Sequence, residues 1–210
     1  MTNIVPSKRS LDIVENIAAT MGGETFHHHY HILYDIRNRM DKPVVNFLEI
    51  GTCAGGSSCL MLSSPKPTSV VSVDLGHHCS PEIIEANVKK FGRAENEFTY
   101  IVGDSRTPEV VGAVQNVFTE VDILFIDGGH AYHEVIADFL NYKEMVVVGG
   151  FIVFDDYFDW QHSSQVKHAI DYIVRDLLFN EFEIVGTIEN SLGAKPKEWS
   201  RNNLFVLRKL

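Results

Sequence analysis

The sequence predicts a single α/β domain with a Rossmann-like, mostly parallel seven-stranded sheet and helices on both faces. Three observations predict it. From residue 44 to residue 207, short β-rich runs alternate with helical stretches, the mark of βαβ units. A glycine-rich turn follows the first of these runs. Acidic residues then end five strands in succession.

The elements follow in order. Val44–Ile50 reads as the first strand, with a Gly-rich turn and a helix from about Ser57. Ser69–Val73 is the second strand, followed by a helix over Pro81–Phe91. Phe98–Val102 is the third, and Pro108–Phe118 its helix. Val121–Ile126 is the fourth, with a helix over Tyr132–Glu144. Phe151–Phe154 is the fifth, entered through the Gly149-Gly150 turn. Gln165–Phe179 is helical, with Val166, Ile170, Ile173, Val174 and Leu177 on one face. Glu183–Ile188 and Leu204–Leu207 close the sheet. Residues 1–43 precede the pattern; Leu11–Met21 and His31–Met40 form a helical cap over one side, and residues 44–210 are the domain proper.

Composition narrows the function classes. The 210 residues suit one domain, and 45% hydrophobic residues suffice for a real core. A net charge of −10, with no basic stripe, argues against nucleic acid as a partner. No apolar stretch approaches the roughly 18 residues that span a bilayer. Met1–Arg9 has no apolar core of a secretory signal. Cys53, Cys59 and Cys79 form neither an even disulfide set nor a zinc pattern, so a reducing, cytoplasmic setting is expected.

The strand ends carry the functional argument. In an open α/β sheet, ligands bind outside the carboxyl ends of the strands, near the reversal of strand order. Glu49, Asp74, Asp104, Asp127 and the pair Asp155-Asp156 all lie at that rim. Any single one could cap a helix or tighten a turn. Five in succession are harder to explain that way.

Glu49-Ile50-Gly51-Thr52-Cys53-Ala54-Gly55-Gly56-Ser57-Ser58 forms the first strand-to-helix turn. Its glycines let the backbone approach a ligand, and the helix that follows offers free N–H groups. The spacing departs from the GxGxxG of dinucleotide binders. It resembles the class I S-adenosylmethionine (SAM) dependent methyltransferases, whose first motif is an acid, then Gly, then Gly-x-Ser. That resemblance implies that Glu49 and Gly51 flank the methionine part of SAM, with Gly55 and Ser57 in the same cofactor-binding turn. It further implies that Asp74 accepts from the ribose hydroxyls, and that Asp104 and Ser105 meet the adenine edge.

Asp127-Gly128-Gly129-His130 ends the fourth strand, and Phe154-Asp155-Asp156-Tyr157 ends the fifth. If these strands are neighbours, about 4.8 Å apart, three carboxylates converge and repel unless protonated or neutralised by a cation. Oxygen ligation selects Mg²⁺, Mn²⁺ or Ca²⁺ over zinc. Together the segments resemble the macrocin O-methyltransferase and cephalosporin-hydroxylase-like group, related to the catechol O-methyltransferases. The match runs from Phe47 to about Tyr157. It implies Mg²⁺ on Asp127, Asp155 and Asp156, with Asp127 also bordering SAM and His130 as the base. The reaction expected is methyl transfer to a hydroxyl of a small molecule (a sugar, polyketide glycan or phenol), with a homo-oligomer compatible with the sequence.

Other features carry less. His27, His28, His29 and His31 read as surface residues, because consecutive histidines on a helix face different ways. His77-His78 fit either the adenosine site or an exposed loop. Tyr157, Phe158 and Trp160 fit either an acceptor wall or helix packing, and Leu192–Asn202 either a substrate loop or a plain connection. Competing readings are a metal-independent SAM methyltransferase using His130 alone, a dinucleotide oxidoreductase, a non-catalytic SAM-binding protein and a nucleic-acid methylase. The absent GxGxxG opposes the second, the Asp-x-x-His and Asp-Asp sets the third, and the charge the fourth.

Overall fold

Strand side chains alternate between faces, and this alternation builds two cores. The computed structural model describes residues 8–20, 30–188 and 204–210. Its strands are β1 (Val45–Ile50), β2 (Thr68–Asp74), β3 (Glu97–Val102), β4 (Val121–Ile126), β5 (Val146–Phe154), β6 (Phe182–Thr187) and β7 (Phe205–Lys209). The helices are α1 (Lys8–Thr20), α2 (His31–Arg39), α3 (Gly56–Leu62), α4 (Pro81–Phe91), α5 (Pro108–Val117), α6 (Tyr132–Tyr142) and α7 (Ser164–Tyr172). On one face Leu48, Ile50, Val73, Leu124, Ile126 and Phe154 pack against Val114 of α5, Phe139 of α6 and Ile170 of α7. On the other, Phe47, Val70, Ile123, Phe125 and Val153 pack against Ile17 of α1, Leu33 and Ile36 of α2, and Leu60 of α3. Each such fully buried side chain contributes about 1.5–3 kcal/mol.

The seven strands form one sheet in the order β3-β2-β1-β4-β5-β7-β6. The first five are parallel, and β7 runs antiparallel to both β5 and β6. This is the expected mostly parallel, Rossmann-like methyltransferase sheet. Strand order reverses between β1 and β4. The helices after these strands, α3 and α6, pack on opposite faces, so a crevice opens where β1 and β4 end.

Three details differ from expectation. β5 begins at Val146, and Gly149-Gly150 is a bulge inside it: Val121 pairs with Val146, but Ile123 pairs with Phe151. Gly149 has φ +83°, and a Cβ on Gly150 would lie 2.8 Å from the Asp122 carbonyl oxygen. Glycine read as punctuation thus marks a close backbone approach within a strand. The helix after β5 leaves α-geometry at Tyr172 and continues as a π-helical turn, Ile173–Leu177. His31 is fully buried on α2, not on the surface. Met21, His27, His28, His29 and Leu192–Asn202 lie outside the described residues.

Candidate active site

The turn after β1 is held from below. Glu49 is fully buried, and its carboxylate accepts from the hydroxyls of Thr52, Ser57, Ser58 (2.7 Å) and Ser72 (2.8 Å). Burial still raises its pKa above the ordinary value. This cage ties the end of β1 to the turn, to α3 and to β2. The Ser57 and Ser58 hydroxyls are therefore not helix caps; α3 is entered through Gly55, at φ +85°. Gly51, at φ +87°, passes so close to the end of β4 that a Cβ would lie 2.0 Å from the Asp127 carbonyl oxygen.

Above this turn lies a cleft of about 590 Å³. Gly51, Ser57, Asp74, Asp104, Ser105, Asp127, His130 and Asp156 line it. Glu49 and Gly55 do not; they lie behind the turn and shape it. Asp74 accepts from the N–H groups of Thr52 (2.9 Å), Cys53 (3.1 Å) and Gly76 (2.7 Å), which clamps the β1 and β2 turns together. His77 and His78 also line the cleft. Asp104 is gripped by Arg106 through two contacts, 2.7 and 2.8 Å, and Arg106 reaches Glu134 at 2.7 Å. Ser105 donates to Asp138 at 2.6 Å, and burial pushes the Asp138 carboxyl up to about 6.

The sheet's hydrogen bonds continue one residue past the strands, Asp127 N–H to Ile50 and Asp155 N–H to Ile126. With Ile126 and Phe154 facing the α5–α7 core, alternation turns both acids toward Tyr30 on the opposite side. Tyr30 donates to Asp127 at 2.8 Å. Burial, then the charges of Asp155 and Asp156, push Asp127 well above the usual carboxylate range. Asp156, at φ +60°, points back into the cleft; burial and Asp155 push it up to about 6. Its Oδ2 lies 3.2 Å from His130 Nε2.

The three expected metal acids therefore converge, but not as three equal ligands. Among the described residues, the group whose ligand atoms all lie within 4.8 Å of one another is Asp127, His130 and Asp156. Asp155 is 3% exposed, accepts from the Asp156 N–H at 2.7 Å and lies outside that group. The geometry thus puts His130 where the sequence pattern put Asp155, because the left-handed backbone at Asp156 (φ +60°) brings its side chain back beside Asp127 and His130.

Tyr30, Arg106, Glu134, Asp138 and Ser163 line the cleft and were not singled out in the sequence. Glu134 had a signal, since its side chain accepts from the Ala131 N–H at the start of α6; the others carried none. Tyr157 does not wall the cleft. It stacks on Phe205 at 4.8 Å and donates to Asp171, so it packs α7 onto the sheet.

Residues 48–157 match the family model described as a methyltransferase domain. The chain belongs to that family. This methyltransferase is also 35% identical over 202 residues to the uncharacterized protein R132 of Acanthamoeba polyphaga mimivirus, covering 91% of each chain. Among solved structures it is similar to cofactor-bound Rv0187 from MTB (TM-score 0.67, 14% identity, 99% of this chain and 92% of that one). It is similar as well to MycE from the mycinamycin biosynthetic pathway, solved with Mg, SAH and mycinamycin VI (TM-score 0.60, 19% identity, 95% of this chain). The methyltransferase spans about half, 53%, of the MycE chain. Family and fold together make it a class I, SAM-dependent methyltransferase. No helix among its described residues is long and apolar enough to cross a membrane.

Proposed function

We propose that this methyltransferase acts on a hydroxyl of a small molecule, with a divalent cation such as Mg²⁺ held by Asp127 and Asp156. The observation that carries the reading is the Asp127–His130–Asp156 group at one end of the cleft. The residues fit a cation: three buried or half-buried acids converge there, and Asp127 is pushed strongly toward its protonated form unless positive charge is supplied. They fit SAM as well, because Gly51, lacking a Cβ, lets the turn after β1 close onto the end of β4 and form part of the cleft lining.

When bound, SAM supplies a methyl group on a positively charged sulfur, and the cation supplies charge that makes an alcohol more acidic. Asp127 and Asp156 hold that charge, and Asp155 adds negative potential from beneath. Asp74 receives the ribose hydroxyls, and Gly51 and Ser57 border the methionine portion. Ser105 borders adenine, with Asp104 set in place by Arg106. Glu49 keeps the turn in shape through its four hydroxyl partners. His130, 44% exposed at its side chain, faces the acceptor and removes its proton, as an imidazole can. Of residues 1–43, the described helices α1 and α2 act as a cap over one face of the sheet, and three free thiols suit the cytoplasm.

A second reading rests on the 3.2 Å His130–Asp156 contact, which forms an acid–imidazole pair without any cation. Titration calorimetry of SAM, then Mg²⁺, on wild type and Asp156→Ala separates the two. The metal reading expects SAM heat in both proteins and Mg²⁺ heat in wild type alone. SAM heat without Mg²⁺ heat, and transfer that survives a chelator, would leave His130 and Asp156 to act alone. Absence of SAM binding to wild type would overturn both.

A further inference from the structure

Helix α6 presents a row of three polar side chains, Glu134, Asp138 and Tyr142, spaced four residues apart and so on one face. All three grip the loop after β3. Tyr142 donates to the Ser105 carbonyl at 2.7 Å, Asp138 accepts from the Ser105 hydroxyl at 2.6 Å, and Glu134 accepts from Arg106 at 2.7 Å. The helix that follows the turn bearing Asp127 thereby holds the loop bearing Asp104.

Glu134 divides its carboxylate between two tasks. Oε2 accepts from the Ala131 N–H at 3.1 Å and caps the helix, while Oε1 takes Arg106. Capping alone needs one oxygen. The seat exists because Gly129 has no side chain: a Cβ there would lie 2.3 Å from Glu134 Oε2. Arg106 is divided in the same way. Its Nε and Nη2 fork onto Asp104 at 2.7 and 2.8 Å, and its Nη1 reaches Glu134. The Arg106 backbone N–H also meets Asp104 Oδ1, at 3.0 Å. Oδ1 thus accepts twice and Oδ2 once, which leaves Oδ2 one lone pair for a donor in the cleft. All three charged groups are half-buried, where a forked, networked pair is stronger than an isolated surface one.

We infer that Glu134 and Arg106 are positioning residues that hold Asp104 in place for the purine of the cofactor. Glu134 acts through Arg106, and Arg106 acts through Asp104. The inference rests on the proposed SAM site, in which Asp104 and Ser105 stand beside adenine.

The variant that tests it is Glu134→Gln. A glutamine has one acceptor oxygen, so it can keep the Ala131 cap or meet Arg106 but not both, and its size is unchanged. Titration calorimetry of the full chain uses two probes: S-adenosylhomocysteine, and methylthioadenosine, which lacks the amino-acid end. Glu134→Gln should weaken both by about tenfold, the effect of losing a hydrogen bond to a charged group. Asp104→Ala should weaken both at least as much. In the Asp104→Ala background, Glu134→Gln should bring no further loss, because its route to the ligand is already cut. A role for Glu134 in the shape of the α6 turn alone would instead weaken binding equally in both backgrounds, and that result overturns the inference. So does unchanged binding in Glu134→Gln, or a loss seen with S-adenosylhomocysteine only. Wild type that binds neither probe would overturn the SAM site itself, and this inference with it.

Discussion

Replacing Gly51 with alanine tests whether the cleft depends on the close approach of β1 and β4. Two costs add. The backbone stands at φ +87°, where an L-residue costs about 1–2 kcal/mol. The new Cβ would meet the Asp127 carbonyl oxygen at 2.0 Å, its carbon at 2.5 Å and Gly128 Cα at 2.7 Å. All three are backbone atoms fixed in the sheet, so the strand ends must part, and such overpacking costs about 1–3 kcal/mol. The total is about 2–5 kcal/mol, which lowers Tm by about 4–20 °C in a domain of this size. Gly55 supplies the control. It stands at φ +85°, yet its nearest neighbour is Ile84 Cγ2 at 3.4 Å, so Gly55→Ala costs only the backbone term, about 1–2 kcal/mol. Gly112→Ala, in α5 with nothing within 4 Å, gains about 0.5–1 kcal/mol through helix propensity. Calorimetric melts of the three variants and wild type measure the series. A Gly51→Ala loss no larger than that of Gly55→Ala would refute the claim that the strand ends leave no room.

Three further outcomes follow. Asp138 stands at about 6 in the fold against an ordinary 3.8. The folded chain binds that proton more tightly, so the ionised form costs about 3 kcal/mol above pH 6, and the cost fades as pH falls toward 4. Asp138→Asn keeps an acceptor for Ser105 and should raise stability in urea at pH 8 but not at pH 4; a gain equal at both would sink the assignment. Tyr30→Phe deletes the donor to half-buried Asp127 and should cost about 1–3 kcal/mol in the same assay, whereas a neutral result would mean that the bond is not formed. Burial and neighbouring groups push Cys53 up to about 11 and Cys59 up to about 12, leaving about one thiolate in a thousand at Cys53 at pH 8. Both should alkylate slowly when followed by mass spectrometry, and SAM should slow Cys53, which lines the cleft, further; indifference of Cys53 to SAM would place the cofactor elsewhere.

The sequence by itself determined the sheet, its helices and the rim on which the acids lie. Period-2 and period-3.6 patterns record which face of each element is buried, and burial of those faces is what drives the fold. Hence the strand ends at Ile50, Asp74 and Ile126 were legible to within a residue. Only the tertiary structure decided which atoms of those acids face the cleft. Glu49 turned inward to four hydroxyls, Asp104 was taken by Arg106, and Asp155 gave its place beside Asp127 and Asp156 to His130. Tyr30 and Ser163 come to the site from segments far along the chain, 97 residues from Asp127 and 33 from His130. Local pattern has no term for such contacts, because they arise from packing elements whose separation in space is unrelated to their separation in sequence.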